Sequence, residues 1–397
     1  MAVTETTTES WGSRIGSSVK GVLVGLGIFI AGFPILFWNE GNSVKTAKAL
    51  DEGEGTCISV ESNATVDGEM EGKLVHMSGK ADTKDELADD DFGVKVTAIA
   101  LERTVEMYQW VEESHTTEKK NVGGSVTKTT TYTYKQKWER SAIDSSTFKE
   151  AGHDNPGVIE FPAGKTYASN VSFGAFRLSE KQIPRIGGAV PLVFDASFTS
   201  KVERVVMQGS TILVPNRETR ANPKNTRDVA AMPRIGDMRV TFKVVKPHNI
   251  SLVAKQMGDT FVDYTAKNGK KISLLTDGVE DATSMFASAQ SANTMMTWII
   301  RLVGLLMMYI GLSMVLKPLS VLGDVLPFIG NIIEIGNGLV AGVLAFVCAI
   351  VTIAIAWLFY RPILAIALIA AAGGLIYWLK TKSKKAKSES APQPTAA

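Results

Sequence analysis

Three long apolar runs near the C-terminus constrain this chain more than any other feature of its sequence. They cover residues 298–316, 339–359 and 363–379 and carry almost no charge. At about 1.5 Å of rise per helical residue, each run is long enough, or nearly so, to cross a hydrocarbon layer of about 30 Å. A bilayer core offers no hydrogen-bond partners to backbone amides, so such runs form helices. The sequence therefore predicts three membrane-spanning helices here.

A fourth apolar run, 19–38, stands alone near the N-terminus. A secretory signal peptide is the alternative, because it also joins a basic start, here Arg14 and Lys20, to an apolar run. The run is longer than a typical signal-peptide core, and residues 33–38 offer no small-residue cleavage site. We therefore predict an uncleaved membrane anchor.

Positive charge near the ends of the spans predicts their orientation. Lysines are clustered directly after the last apolar run, which places the C-terminal tail in the cytoplasm. Counting back through the spans places the N-terminus there too and the long polar middle on the opposite side. The predicted order is a cytoplasmic N-terminal tail (1–18), transmembrane helix 1 (19–38), a β-rich lumenal or periplasmic domain (39–295), transmembrane helix 2 (296–316), a cytoplasmic interfacial loop (317–338), transmembrane helix 3 (339–359), transmembrane helix 4 (363–379) and a basic cytoplasmic tail (380–397). The predicted class is an α+β membrane protein with one N-terminal and three C-terminal transmembrane helices and a large β-rich extracytoplasmic domain between the first and second.

Two kinds of residue in these membrane segments are candidates for a specific role. Glycines four residues apart let two helices approach closely, although glycine is also simply common in membrane helices. Charged residues in or beside spans mark functional sites or extend towards the interface. The candidates are the helix-contact residues Gly21, Gly25, Gly338 and Gly342 and the membrane charges Arg301, Asp324, Glu334 and Arg361.

The polar middle of the chain alternates apolar and polar residues, as β-strands do. In the run 94–113, Leu101 and Met107 fall on one face and Tyr108 on the other. A second run, 126–139, is rich in threonine, and the Gly-containing loop between the two runs predicts a long β-hairpin. Further strands are predicted at 73–80, 168–177, 200–207, 238–245, 250–256 and 271–275.

Two segments on either side of the second span carry local signals. Asp277, with Glu280 three residues later, predicts the capped start of a helix that leads into that span. Pro318 predicts its end. The following loop, 317–338, is apolar but interrupted by glycines and Pro327. It is predicted to lie in the inner interface as an amphipathic segment, and a re-entrant element lining a polar pathway is the alternative.

Composition and motif searches reveal no active site. The net charge of +2 does not favour nucleic-acid binding, and Cys57 and Cys348 lie in different environments, so no disulfide is expected. The four histidines lack metal-ligand spacing. Ser313 and Lys317 are spaced as a Ser–Lys pair, but a lysine extending to the interface explains them better. We expect no enzyme activity, no catalytic, cofactor-binding or metal residues, and no cofactor.

Short motifs spread over most of the chain resemble those of the LUMA (transmembrane protein 43) family. The longer ones, around the tyrosine–tryptophan pair and the final Arg-Pro, are fairly specific. The motifs are FWNEG at 37–41, VKTA at 44–47, LVH at 74–76, VEMYQWVE at 105–112, GHxNP at 152–156, GDxRV at 236–240 and WLFYRP at 357–362. The resemblance implies four spans with a large lumenal loop, and a scaffold rather than an enzyme.

What the family does in cells depends on the host. The resemblance implies that a eukaryotic member resides in the endoplasmic reticulum and nuclear inner membrane, associates with itself as a homo-oligomer, and contacts emerin and lamins. In a bacterial host only the membrane-scaffold part carries over, at the bacterial inner membrane. In both settings the chain is expected to be a multi-pass membrane protein with cytoplasmic termini.

We therefore expect a membrane scaffold that self-associates and organises membrane protein complexes or membrane architecture. Its expected partners are membrane lipids, other copies of itself and other membrane proteins, and not nucleic acid. The alternative is an ion channel or lipid-handling protein in which Arg301, Asp324 and Glu334 line a path. A hydrolase is the weakest hypothesis, because the required nucleophile–base pairing is not visible.

Overall fold

The computed structural model describes residues 3–61, 63–195, 198–202, 205–216 and 231–364, with residues 366, 367, 370, 371, 374 and 378 beyond them. Among these residues, three helices are long and apolar enough to cross a membrane: α1 (Trp11–Thr56), α2 (Ala282–Gly323) and α3 (Pro327–Tyr360). These helices and a large β-rich region confirm the α+β class. More than half of the predicted fourth span, 363–379, and the whole tail, 380–397, lie outside the described residues.

The β-strands precede α1 or lie between α1 and α2. They are β1 (Val3–Glu9), β2 (Ile58–Ser59), β3 (Leu74–Asp82), β4 (Glu86–Asp89), β5 (Val94–Thr97), β6 (Ala100–Lys120), β7 (Val126–Glu139), β8 (Gly164–Tyr167), β9 (Ser172–Phe173), β10 (Phe176–Arg177), β11 (Val190–Pro191), β12 (Val206–Gln208), β13 (Thr211–Val214), β14 (Met238–Val245), β15 (His248–Met257), β16 (Thr260–Val262), β17 (Tyr264–Thr265), β18 (Lys271–Ile272) and β19 (Leu274–Asp277). Short 3₁₀ helices lie at Gly68–Met70, Ser145–Thr147 and Ile183–Arg185.

The chain divides into two compact units. The β unit contains Met1–Glu9, Ala49–Lys119 and Val126–Gln290, and the helical unit contains Ser10–Lys48, Lys120–Ser125 and Ser291–Ala397. The β unit is built on an eight-stranded sheet, β1-β7-β6-β14-β13-β12 with β11 on β14 and β8 on β6. A seven-stranded sheet follows the order β19-β15-β16-β10-β9-β3-β2, with β15 also paired to β3. Both sheets contribute apolar side chains to one core.

The alternating pattern of β6 determines which of its faces is buried. Leu101, Val105 and Met107 lie on one face of the strand and are buried in the core. Tyr108, on the other face as the alternation predicted, is only half-buried and lies 5.2 Å from the Trp138 ring on β7, measured between centroids. β14 has the predicted bounds and pairs antiparallel with β6, with Val240 opposite Val105. Burial of both apolar rows stabilises this register, because a shift by one residue would turn them to solvent.

Several predicted strand boundaries were wrong. The run 94–113 is two strands, because the backbone at Ile99 leaves the pattern to donate to Val245 O (2.8 Å) and accept from Ala168 N (2.9 Å). Its second strand continues to Lys120. The predicted strand 271–275 is interrupted at Ser273, and strand structure in the described part of 200–207 begins only at Val206.

The predicted helix signals around α2 were wrong as well. Asp277 ends β19, and its Oδ1 accepts from Gly187 N (3.0 Å) instead of capping a helix. Asp281 is the cap, accepting from Ser284 N at 2.9 Å. α2 then continues through Pro318, and α3 begins with Pro327 at its first turn, where proline needs no amide hydrogen. Most of the predicted loop 317–338 is therefore helix.

The last turns of α1 and the first turns of α2 belong to the β unit. Leu50 of α1 and Phe286 of α2 are buried in a small core together with Ile272. A Cβ at Gly53 would lie 2.7 Å from Ile272 Cδ1 and 3.0 Å from Phe286 Cε1, so glycine permits this close packing. Cys57 packs against the same cluster and has a free thiol.

We expect the Cys57 thiol to react slowly with alkylating reagents. Burial raises its pKa to about 11 from an ordinary value of 9.0, and the thiolate is the reactive form. At pH 8 the folded protein should therefore alkylate about 100-fold more slowly than an unfolded reference, if thiolate fraction sets the rate. Mass spectrometry of a Cys348→Ser variant treated with iodoacetamide measures this rate. Equal rates for folded and unfolded protein would contradict the prediction.

Candidate functional site in the helical unit

Glycines bring α1 and α2 into close contact in the helical unit. A Cβ on Gly25 would lie 2.6 Å from Met314 Cβ and 2.7 Å from Gly311 O, and one on Gly304 would lie 2.5 Å from Leu36 Cδ2. Without these side chains the two backbones approach closely. Gly25, a predicted contact residue, thus faces a helix of its own chain. Gly311 and Gly304 make equally close contacts and were not among the predicted contact residues.

The other predicted glycines make looser contacts. A Cβ on Gly21 would have Met314 Cε at 3.9 Å as its nearest neighbour, which is ordinary van der Waals contact. Gly338 and Gly342 of α3 face Tyr309 of α2. A Cβ on Gly338 would lie 3.6 Å from the Tyr309 hydroxyl oxygen, and one on Gly342 would lie 3.8 Å from Tyr309 Cε2. These three positions have room for a small side chain.

A buried ion pair joins all three helices near the end of the first apolar run. Glu40 of α1 is fully buried, and its carboxylate accepts from Arg301 of α2 through Nε at 2.6 Å and Nη2 at 2.8 Å. Trp357 of α3 donates its Nε1 proton to the same carboxylate at 2.8 Å. The guanidinium carbon also lies 4.6 Å from the centre of the Trp298 ring. Such a bidentate, stacked pair is among the strongest polar contacts available to arginine.

A second buried cluster surrounds the turn between α2 and α3. Asp324 is 1 % exposed, and its two carboxylate oxygens meet Arg14 Nη2 at 2.5 Å and Lys120 Nζ at 3.0 Å. Lys120 also contacts Glu334 at 2.7 Å and donates to Asn331 at 2.9 Å. The cluster therefore links the start of α1, the β6–β7 turn and both ends of the α2–α3 connection.

Hydrogen bonds position the β6–β7 turn within this cluster. Arg14 Nη1 donates to Gly124 O at 2.5 Å, and Gly123 N donates to Val325 O at 3.0 Å. Trp11 Nε1 donates to Val321 O at 2.9 Å. Gly124 has a φ of +80°, and a Cβ there would collide with the Trp11 indole, so the turn requires glycine for two independent reasons.

Charge pairing also affects the protonation of Lys120. Its partial burial works to lower the pKa, but the hydrogen bond to Glu334 and the charges of Glu334 and Asp324 outweigh this and raise the pKa above its ordinary value. Lys120 therefore stays a cation. In the same cluster Asp324 is nearly inaccessible, whereas the Glu334 side chain is 61 % exposed.

Three of the four predicted membrane charges are thus paired inside the helical unit. The partners Glu40, Arg14 and Lys120 were not among the predicted site residues. Arg361 is different: its side chain is exposed, and its backbone N–H donates to Trp357 O at 2.8 Å at the end of α3. No described group of three or more His, Cys, Asp or Glu residues has an arrangement that could hold a metal ion.

The strand pairing of β1 bears on how the chain lies relative to the membrane. Residues Val3 to Glu9 form an antiparallel ladder with Tyr132 to Val126 of β7. The sequence assigned these two segments to opposite sides of the membrane, as it did Lys120 and its partner Asp324. Segments joined by backbone or ionic contacts share one location relative to the bilayer. The N-terminal strand and the outer part of the hairpin must therefore lie together.

We expect cysteine reporters at Thr6 and Val122 to be labelled from the same side of sealed vesicles. Both positions are exposed, Val122 to 82 %. The measurement is labelling by a membrane-impermeant maleimide in a background with Cys57 and Cys348 replaced by serine. Detergent-permeabilised vesicles provide the full-labelling control. Labelling of the two reporters from opposite sides would exclude the β1–β7 ladder in the membrane.

Comparison with known proteins gives one consistent family. The family model described as Transmembrane protein 43 matches residues 107–362. Transmembrane protein 43 of Rattus norvegicus is 33% identical over 361 residues, 88% of this chain and 87% of the relative. The Homo sapiens protein is 32% identical over 368 residues (89% and 88%), and the Drosophila melanogaster homolog is 28% identical over 366 residues (90% and 93%). No solved structure matches the chain.

Proposed function

This chain belongs to the transmembrane protein 43 (LUMA) family, and we propose that it is a multi-pass membrane scaffold that self-associates and organises membrane protein complexes. The observation that carries the proposal is the free outer edge of β1. This strand lies at one end of the eight-stranded sheet, and β7 is its only strand partner among the described residues. An edge strand presents unpaired backbone donors and acceptors to another chain.

The composition of β1 suits reversible pairing. The side chains from Thr4 to Thr8 are exposed, and the strand is made mostly of threonine and glutamate. Threonine favours extended backbone, and the polar side chains leave main-chain hydrogen bonds as the principal attraction. A second copy of this chain, or another membrane protein, is the partner that we propose for this edge.

The pairing of the membrane charges supports a structural role over an ion channel. Arg301, Asp324 and Glu334 were the charges considered for a permeation path, and each is held in an ion pair. Charges that are held in such ion pairs stabilise the helical unit. We propose accordingly that the protein is not an enzyme and acts through assembly.

The proposed topology, location and partners are those that the resemblance to the family implies. We propose that residues 363–379 form a fourth span and that membrane lipids surround the helices. We also propose that both termini are cytoplasmic, which places the outer part of the β6–β7 hairpin on the cytoplasmic side together with β1. In a eukaryotic host the protein would reside in the endoplasmic reticulum and nuclear inner membrane and contact emerin and lamins. In a bacterial host it would reside in the inner membrane.

Proline substitutions at two neighbouring positions of β1 test the role of its edge. Adjacent residues of a strand direct their N–H groups to opposite sides, so of Thr6 and Thr7 one faces β7 and the other faces outward. Proline removes that donor.

We expect proline at the outward-facing position to lower self-association while β1 remains paired with β7. We expect proline at the position that faces β7 to separate β1 from β7. Blue-native electrophoresis and crosslinking in native membranes measure association, and protection of the N-terminus from protease measures docking. A monomeric, partnerless wild-type protein would refute the scaffold proposal.

A further inference from the structure

A cavity of about 330 Å³ with both apolar and polar lining residues lies between α2 and α3 in the helical unit. On the α2 side, Ser313, Lys317 and Ser320 recur at intervals that place them on one helix face. On the α3 side, Glu334 and Asn337 close the cavity. A cavity of this size, with a few convergent polar groups, is typical of a small-ligand site.

One hydroxyl in this cavity has an unused donor. Ser313 Oγ is buried and has no hydrogen-bond partner among the residues that the structure describes. By contrast, Ser320 donates to Lys317 O at 2.9 Å, and Asn337 Nδ2 donates to Leu316 O at 3.0 Å. Buried polar groups ordinarily have partners. Ser313 is therefore positioned to donate to an acceptor that enters the cavity.

The charged side chains around the cavity favour an anionic ligand. Glu334 is paired with Lys120, and Asp324 is paired with Arg14 and Lys120. Within the described part of the chain, no carboxylate lies within ion-pair distance of Lys317. Glu334 and Lys317 are the charged residues that line the cavity, and because Glu334 is paired with Lys120, Lys317 carries the uncompensated positive charge of the lining.

The position of the cavity along α2 indicates where the anion comes from. The apolar run 298–316 ends directly before Lys317, at the depth where lipid headgroups begin. Ile310, which lines the cavity, exposes about half of its surface (49 %), and such surface suits acyl chains. We propose that this cavity binds the phosphodiester of an anionic glycerophospholipid, with Lys317 pairing with its charge and Ser313 donating to its oxygen. The proposal is independent of the scaffold function.

Native mass spectrometry of the purified, delipidated full-length protein in detergent tests this site. We expect phosphatidylglycerol to bind at least about tenfold more tightly than phosphatidylcholine, because Lys317 prefers a net negative headgroup. Lys317→Met should raise the Kd for phosphatidylglycerol by about tenfold, and Ser313→Ala by about fivefold. Lys317→Arg should keep the affinity within about threefold, since it keeps the charge.

Arg361→Met provides the matched control, because it removes an exposed cation beyond the opposite end of α3. It should leave the Kd unchanged within about twofold. Glycerol 3-phosphate distinguishes a free phosphate ligand from a lipid. Phosphatidylglycerol binding that is unaffected by both Lys317→Met and Ser313→Ala would overturn the site, and equally tight binding of glycerol 3-phosphate would overturn the lipid as its ligand. Thermal unfolding of each variant establishes that it is folded. If Lys317→Met does not fold, Ser313→Ala and Lys317→Arg still test the site.

Discussion

Replacing Asp324 by alanine is expected to destabilise the protein by about 3–5 kcal/mol, because the change removes the anion from a buried cluster and leaves its cations in place. Asp324 is 1 % exposed and is within 3.0 Å of both Arg14 and Lys120. Arg14, with 12 % of its side chain exposed, would lose its only ion pair among the described residues. The cost of an uncompensated buried charge exceeds that of a lost surface pair several-fold.

Thermal and chemical unfolding of the purified protein in nanodiscs measures the effect of Asp324→Ala. Asp90→Ala is the matched control, since its side chain is 91 % exposed and its change should cost less than about 0.5 kcal/mol. Adding Arg14→Met to the Asp324→Ala variant should recover part of the loss, because it removes the stranded cation. Equal unfolding midpoints for Asp324→Ala and Asp90→Ala would show that the cluster does not stabilise the fold.

The contrast between the helices and their ion pairs shows what the sequence could predict. The three apolar helices were predicted because a long run without charge is a local signal that needs no knowledge of the partner. The ion pairs are not local: Arg14 and Asp324 are 310 residues apart, and Glu40 and Arg301 are 261 apart. A single sequence does not reveal which of many opposite charges meet.

The sequence contains a weak signal for the pairing of Glu40 with Arg301. Glu40 follows the run 19–38 by two residues, and Arg301 lies three residues after Trp298, at the start of the run 298–316. α1 and α2 pack in opposite directions, so these opposite charges lie at a similar level along the two helices. Matching charge by depth would have identified this pair, but it would not have identified Lys120, which lies in the polar middle of the chain.

For the β-strands, too, features set by local sequence were predicted and features set by distant contacts were not. β14 was predicted at both ends because its strict alternation follows from burial of one face. Asp277 was misassigned as a helix cap because the signal for a cap is only a carboxylate before a polar turn. Its pairing opposite Ile250 of β15 and its bond from Gly187 depend on chain segments far away in sequence. Tertiary contacts therefore overrode a local preference.

The Glu40→Gln variant is expected to lose about 3–5 kcal/mol of stability, although the substitution preserves the size of the side chain. Glutamine cannot neutralise Arg301, whose side chain is only 14 % exposed, and it weakens the acceptor for Trp357 Nε1. Glu334→Gln is the matched control, because that side chain is 61 % exposed and its loss should cost at most about 1 kcal/mol.

A double-mutant cycle with Arg301→Met separates the ion pair from general effects of substitution. If the pair is the cause, Arg301→Met should cost far less in the Glu40→Gln background than in the wild type, with a coupling energy of about 1–3 kcal/mol. The physical reason is that either single change leaves one buried charge without its partner, whereas the double change leaves none. Additive losses would mean that Glu40 and Arg301 do not meet in the membrane, and the packing of α1 against α2 and α3 described here would then be wrong.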